Sequence, residues 1–133
     1  MSVRTVVLGL AMSVALVVAA QAQTIASKVA YIGQPRNLQI SGLMSRVVNG
    51  LLNLQVEIHN TDNDDQQGYY RIAWTDETGF AAWEDEPWKP VLVHGGQTLK
   101  VLVSAPTPRA KDFKIEFVDE NNWASHMGPA PVH

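Results

Sequence analysis

From Gln23 onward, apolar positions recur every second residue far more often than every third or fourth. That is the spacing of strands with one face in a core and the other in water. Leu52, Leu54, Val56 and Ile58 alternate with Asn53, Gln55, Glu57 and His59, which predicts a central antiparallel strand. Asn60 to Gln67 is dense in Asp and Asn, has no apolar side to bury, and reads as a loop ending at Gly68. Tyr70, Ile72 and Trp74 then alternate with Arg71, Ala73 and Thr75, and Trp74 belongs in the core with its in-phase neighbours. The turn chemistry of Asp76-Glu77-Thr78-Gly79 predicts a hairpin between this strand and Phe80 to Trp83.

Pro87 and Pro90 cannot donate to a ladder, so Glu84 to Pro90 is predicted as an extended crossover or edge. Val91 to Val93, the tight turn His94-Gly95-Gly96-Gln97 and the alternation of Leu99, Val101 and Val103 predict a second hairpin. Pro106 and Pro108 interrupt pairing before Phe113, Ile115 and Phe117 resume it as the last core strand. Ile25 to Ile32, Leu38 to Ile40 and Ser45 to Val48 are weaker strand candidates. The fold class predicted is all-β, an immunoglobulin-like antiparallel β-sandwich of about seven or eight strands. It occupies residues 23–120, and residues 121–133, with Gly128, Pro129 and Pro131, are expected as a flexible tail.

The first 22 residues have a different pattern. Arg4 supplies a positive start, Val6 to Ala20 an apolar run, and Ala20-Gln21-Ala22 the small-x-small shape of a signal-peptidase site. The run is shorter than the roughly 20 residues that cross hydrocarbon, so a cleaved signal peptide is expected and no permanent membrane anchor. The product would begin at Gln23 and reside in the periplasm. Cysteine is absent, which excludes a lipidated thiol, a thiol nucleophile, a disulfide and a thiolate metal site. Only Arg4 among the charged residues leaves with the signal, so nine basic residues face 13 acidic ones. The basic residues are scattered singly, and nucleic acid is not an expected partner.

On these strands the chain resembles the YcfL-like family of small exported bacterial proteins, which are often lipoproteins with an immunoglobulin-like sandwich. The resemblance is carried by Asn53-Leu54-Gln55-Val56 to Asn60, by Tyr70-Arg71-Ile72-Ala73-Trp74-Thr75-Asp76 with Gly79, by Trp88, and by Ser104-Ala105-Pro106 with Ala110 and Phe113 to Phe117. Its most specific part is the aromatic strand ending in Trp-x-Asp-x-x-Gly. The chain departs from the family pattern in lacking the lipobox cysteine, which favours a soluble periplasmic form. The family is functionally uncharacterised, and the resemblance implies no reaction.

Catalytic and metal chemistry find little support in the residues. Asp62, Asp64 and Asp65 are the metal candidates, but the calcium-loop spacing fails at Gln66 and no Glu follows before Glu77. Asp76, Glu77, Glu84, Asp85 and Glu86 fall in predicted turns, where a raised carboxyl pKa for acid-base work is not expected. His59, His94, His126 and His133 lack metal-site spacing, and neither a Gly-x-Ser-x-Gly elbow nor a phosphate loop is present. The expectation is therefore no enzyme and no cofactor.

Trp88 between two prolines is either a plug over the open end of the sandwich or an anchor for another protein. The binding residues singled out are Trp83, Pro87, Trp88 and Pro90. The expected function is non-catalytic binding of another envelope protein, through a sheet edge or the Trp83 to Pro90 surface. The alternative is a soluble periplasmic carrier of a small ligand or metal ion.

Overall fold

The strictest alternation in the chain becomes the middle of one layer. Leu51–Asn60 is a strand whose inward residues Leu52, Leu54, Val56, Ile58 and Asn60 are all buried. The computed structural model describes residues 25–129. In chain order it contains β1 (Val29–Tyr31), β2 (Leu38–Val48), β3 (Leu51–Asn60), β4 (Gln66–Thr75), β5 (Lys89–Val93), β6 (Thr98–Ser104) and β7 (Asp112–Asp119), then a C-terminal helix, Glu120–His126. A four-stranded sheet ordered β1-β7-β4-β5 faces a three-stranded sheet ordered β2-β3-β6. This is the expected sandwich, with four strands over three as in immunoglobulin-like domains. The strand order is its own, and β1 pairs parallel to β7 where every other pair is antiparallel.

Between the layers, Leu38, Ile40, Leu54, Val56 and Ile58 meet Ile72, Trp74, Val91, Val93, Phe113, Ile115 and Phe117. Trp74 is 2% exposed, as its phase predicts.

Several local expectations are corrected. The first hairpin does not form: beyond the Asp76 turn only the bridge Thr75–Ala81 and the bond from Ala82 N to Trp74 O (3.0 Å) continue the pairing. The edge of β4 is taken instead by Glu86, whose carboxylate accepts from Ile72 N (3.4 Å) and Trp74 Nε1 (3.3 Å). The second hairpin does not form either, because β5 pairs with β4 while β6 pairs with β3. His94–Gln97 therefore carries the chain from one layer to the other. That turn is bound to the loop before β4: Gly95 N donates to Asp65 Oδ1 (3.1 Å) and Gly96 N to Asp62 O (2.9 Å). A Cβ on Gly95 would collide with the Asn63 carbonyl, so only glycine allows this approach.

The third correction shortens the Asn60 to Gln67 loop, since β3 runs through Asn60 and β4 starts at Gln66. Fourth, Leu38 to Ile40 and Ser45 to Val48 are one strand, β2, whose alternation is broken by a bulge between Ile40 and Gly42. It turns into β3 at Asn49 and Gly50, whose φ values of 52° and 80° are those of a two-residue type I′ turn. Of the Ile25 to Ile32 candidate only β1 is strand, and residues 25–28 are helical.

Fifth, the expected tail from Asn121 begins with a helix. Asp119 caps it by accepting from Asn122 N (2.7 Å), and Trp123 is buried against Tyr69 and Val118. An Asp ahead of an acidic first turn is a helix-start signal, outweighed in sequence reasoning by the glycine and prolines that follow. The expected signal peptide, the Gln23 start, Pro131 and His133 lie outside the described residues.

Candidate functional site

One end of the sandwich collects the strand ends that matter. The β2–β3 turn lies there, β6 finishes opposite Asn53, and β4 finishes opposite Asp112. The bonds from Ala105 N to Leu52 O and from Lys111 N to Thr75 O (both 2.8 Å) fasten the β6–β7 connection to the same end. The turn after β4 leads out there too, and Arg109 Nη2 donates to Ala82 O (3.0 Å), joining it to that connection.

At this end β2 runs past the cover of the other layer, while Leu52 of β3 beside it stays buried. The β2 residues from Met44 on are exposed, Val47 at 68% and Val48 at 39%. Across the end, the Asp76 carboxylate organises the turn by accepting from Thr78 N (2.9 Å), Thr78 Oγ1 (2.6 Å) and Phe80 N (3.1 Å). The turn buries Ala82 at 2% and pushes its neighbours outward, Phe80 to 75% and Trp83 to 43% exposed. Ala81, Ala82, Trp83, Glu84 and Arg109 line a shallow cavity of about 310 Å³ beside them.

The predicted binding residues are thus divided. Trp83 stands at the open end, whereas Trp88 lies on the outer face of the four-stranded sheet. There its ring meets Trp123 edge-on at 5.5 Å, and the Arg71 guanidinium sits 4.5 Å over its face. Arg71 is itself paired with Glu116 at 2.9 Å. Pro90 is within β5 opposite Tyr69, and Pro87 is exposed. Sequence reasoning missed Val47, Val48 and Phe80, because alternation says nothing about where the facing layer stops. The Asn49-Gly50 pair was the available signal, since it places a hairpin tip between two apolar runs.

The acidic candidates have structural partners. Asp62 accepts from Gln66 Nε2 (2.8 Å), Asp65 lies 3.0 Å from His94 Nδ1, and the Asp64 carbonyl accepts from Asn60 Nδ2 (2.8 Å). Among the described residues no three His, Asp or Glu side chains converge to hold a metal ion. His126 Nδ1 lies 3.0 Å from the Asn122 carbonyl on its own helix. Burial, followed by the Glu86 carboxylate, raises the Tyr70 phenol above its ordinary value, which keeps it neutral.

Three aspartates are held below the ordinary carboxyl range. Asp76 is lowered by the Thr78 hydroxyl and then the Thr78 N–H, and Asp65 by His94 and then the Gly95 N–H. At Asp112 burial works in the opposite direction and is outweighed by the bonds from Lys28 and from Phe113 N. Their folded-state pKa values lie below the unfolded ones, so their stabilisation is present above roughly pH 4 and is lost as pH falls through the folded values. Thermal melting is therefore expected to shift to lower temperature between pH 5 and pH 2.5; an unchanged midpoint would refute the assignment.

Comparison with known proteins gives this architecture a family. The description "Protein of unknown function (DUF1425)" matches residues 16–119. The chain belongs to the DUF1425 family. A crystal structure of a DUF1425 member from Shewanella sp. pv-4 superposes with a TM-score of 0.56 at 25% identity, over 64% of this chain and 81% of that one. Campylobacter jejuni cj0090 superposes with a TM-score of 0.60 at 22% identity, over 70% of this chain and 98% of that one, a likeness of fold alone. No curated protein matches the chain. DUF1425 membership is consistent with the YcfL-like resemblance and assigns no reaction.

Proposed function

We propose that this DUF1425 protein is a non-catalytic periplasmic module that binds another envelope protein at the open end of its sandwich. The observation that carries the reading is that Val47 and Val48 on β2 and Phe80 and Trp83 after β4 all stand exposed at that one end. Exposed apolar residues drawn together from separate elements mark interaction surfaces, and Trp is enriched among the residues that dominate binding energy. Arg109 and Glu84 beside Trp83 supply the polar rim such a surface needs. The signal-like residues 1–22 and the missing lipobox cysteine support a soluble exported form, and the motif resemblance supports placement among YcfL-like proteins. Against catalysis stand the carboxylates, which hold turns and strand edges.

In-cell crosslinking followed by affinity isolation tests the reading. Phe80→Ser with Trp83→Ala should reduce capture of the partner by roughly tenfold or more with little change in melting temperature. Leu92→Ser, which removes an exposed apolar residue beside Gln67 at the far end of β4 from that surface, should leave capture intact. Full capture by the double variant would reject this surface. The cavity lined by Trp83, Glu84 and Arg109 also favours a second reading, a carrier of a small polar ligand or ion. Saturable heat in calorimetric titration with calcium, copper or simple sugars would support the carrier, and silence would remove it.

A further inference from the structure

The two sheets have four outer edges among the described strands, and three are guarded against pairing. β1 is three residues long, β2 carries the bulge at Ile40 and Gly42, and β5 contains Pro90, which has no N–H to offer. β6 is different: seven residues, no bulge against β3, and no proline. The bonds from Ala105 N to Leu52 O and from Asn60 N to Gln97 O set its alternation. Odd-numbered residues of β6 therefore bond β3, and the N–H and C=O groups of Thr98, Lys100, Leu102 and Ser104 point to the free side.

The side chains around this edge also lack cover. Leu99 and Val101 face the core yet stay half-exposed, whereas their β3 neighbours Ile58 and Val56 are 1% and 3% exposed. On the outer face Leu102 is 77% exposed, in register with Gln55 and with Met44, itself 62% exposed. These residues, with Arg46 and Asn53, line a groove of about 460 Å³ across the sheet.

We infer that β6 pairs antiparallel with β6 of a second copy, about a two-fold axis at Leu102, to make a six-stranded sheet. A strand placed here is favoured by an apolar residue beside Leu102, by a residue other than Lys or Arg beside Lys100, and by a β-branched one beside Val101. β6 itself meets all three conditions. In this register Leu102 exchanges backbone bonds with its counterpart, Lys100 pairs with Ser104, and Val101 faces Val103. The two Lys100 ammonium groups fall about 14 Å apart along the strands. Each leans toward Glu57 of its own sheet, with Nζ 4.0 Å from the carboxylate.

This edge uses none of the four residues proposed for the envelope partner, Val47, Val48, Phe80 and Trp83, and the two proposals can fail separately. Analytical ultracentrifugation of the chain recovered from cells should show a concentration-dependent dimer. Leu102→Arg, which sets like charges together on the axis, should weaken it by roughly thirtyfold or more while the melting temperature holds. Leu102→Cys should crosslink under mild oxidation, because directly paired residues lie within disulfide reach. Trp83→Ala should leave the dimer unchanged, and Leu102→Arg should leave capture of the envelope partner unchanged. A monomer at every concentration overturns the inference, as does a dimer insensitive to Leu102→Arg that Leu102→Cys fails to crosslink.

Discussion

Trp74→Ala is expected to destabilise the protein by about 4 kcal/mol, the largest loss from any single truncation. The indole is 2% exposed, lies between the layers with Phe113 at a ring separation of 6.5 Å, and donates its N–H to Glu86. Truncation would remove that packing, leave a cavity too enclosed to collapse, and release the carboxylate that also caps Ile72 N. For a domain of this size the loss corresponds to a fall in melting temperature of about 20 °C. Trp74→Phe keeps most of the volume but loses the N–H and part of the bicyclic ring, so roughly a third of the effect should remain. Denaturant melts of the two variants decide it: equal losses would mean that the hydrogen bond, not the packing, dominates.

Asn60→Ala is expected to cost about 3 kcal/mol although it deletes no apolar surface. The side chain is 0% exposed. Its amide donates to Val93 O (2.9 Å) and Asp64 O (2.8 Å), and its carbonyl accepts from Asp62 N (2.9 Å). One residue thus ties the end of β3 to β5 in the opposite layer and holds the loop that receives Gly95. Without it, the Val93 carbonyl loses a buried partner, and the Asp64 carbonyl and Asp62 N–H lose theirs at the half-buried rim. Asn60→Asp should be worse than Asn60→Ala at neutral pH, since an anionic oxygen would face both carbonyls, and the excess should vanish in acid where that carboxyl is protonated. Equal stability of the Asp variant and the native chain at pH 7 would contradict this account.

The two residues differ in how readable they were. Trp74 announces itself, because Tyr70, Ile72 and Trp74 share a phase and large aromatic residues in phase with an apolar face are buried. Asn60 also continues the β3 phase, two positions beyond Ile58, but its polarity and the aspartates after it read as the start of a loop. Burial of an amide depends on partners that arrive from Val93 and Asp64, and local pattern does not contain them. The candidate site divides in the same way. Trp83 entered the sequence reading only as one end of the Trp83 to Pro90 surface, while Trp88, singled out as plug or anchor, proved to be half-covered by Trp123 and Arg71. Trp123 lay in a stretch read as tail, so nothing in the sequence revealed its cover.

Sequence by itself determined the class of fold, the central strand, most of the core and the absence of thiol chemistry, because side-chain alternation and residue type are local properties. Tertiary structure alone decided which layer each strand joins, that His94–Gln97 crosses between layers, and which apolar residues stay uncovered. Period-two patterning says that a strand has a dry face without naming the face it meets. That choice is made by contacts between residues far apart in the chain, such as Gly95 against Asn63 and Glu86 along the edge of β4.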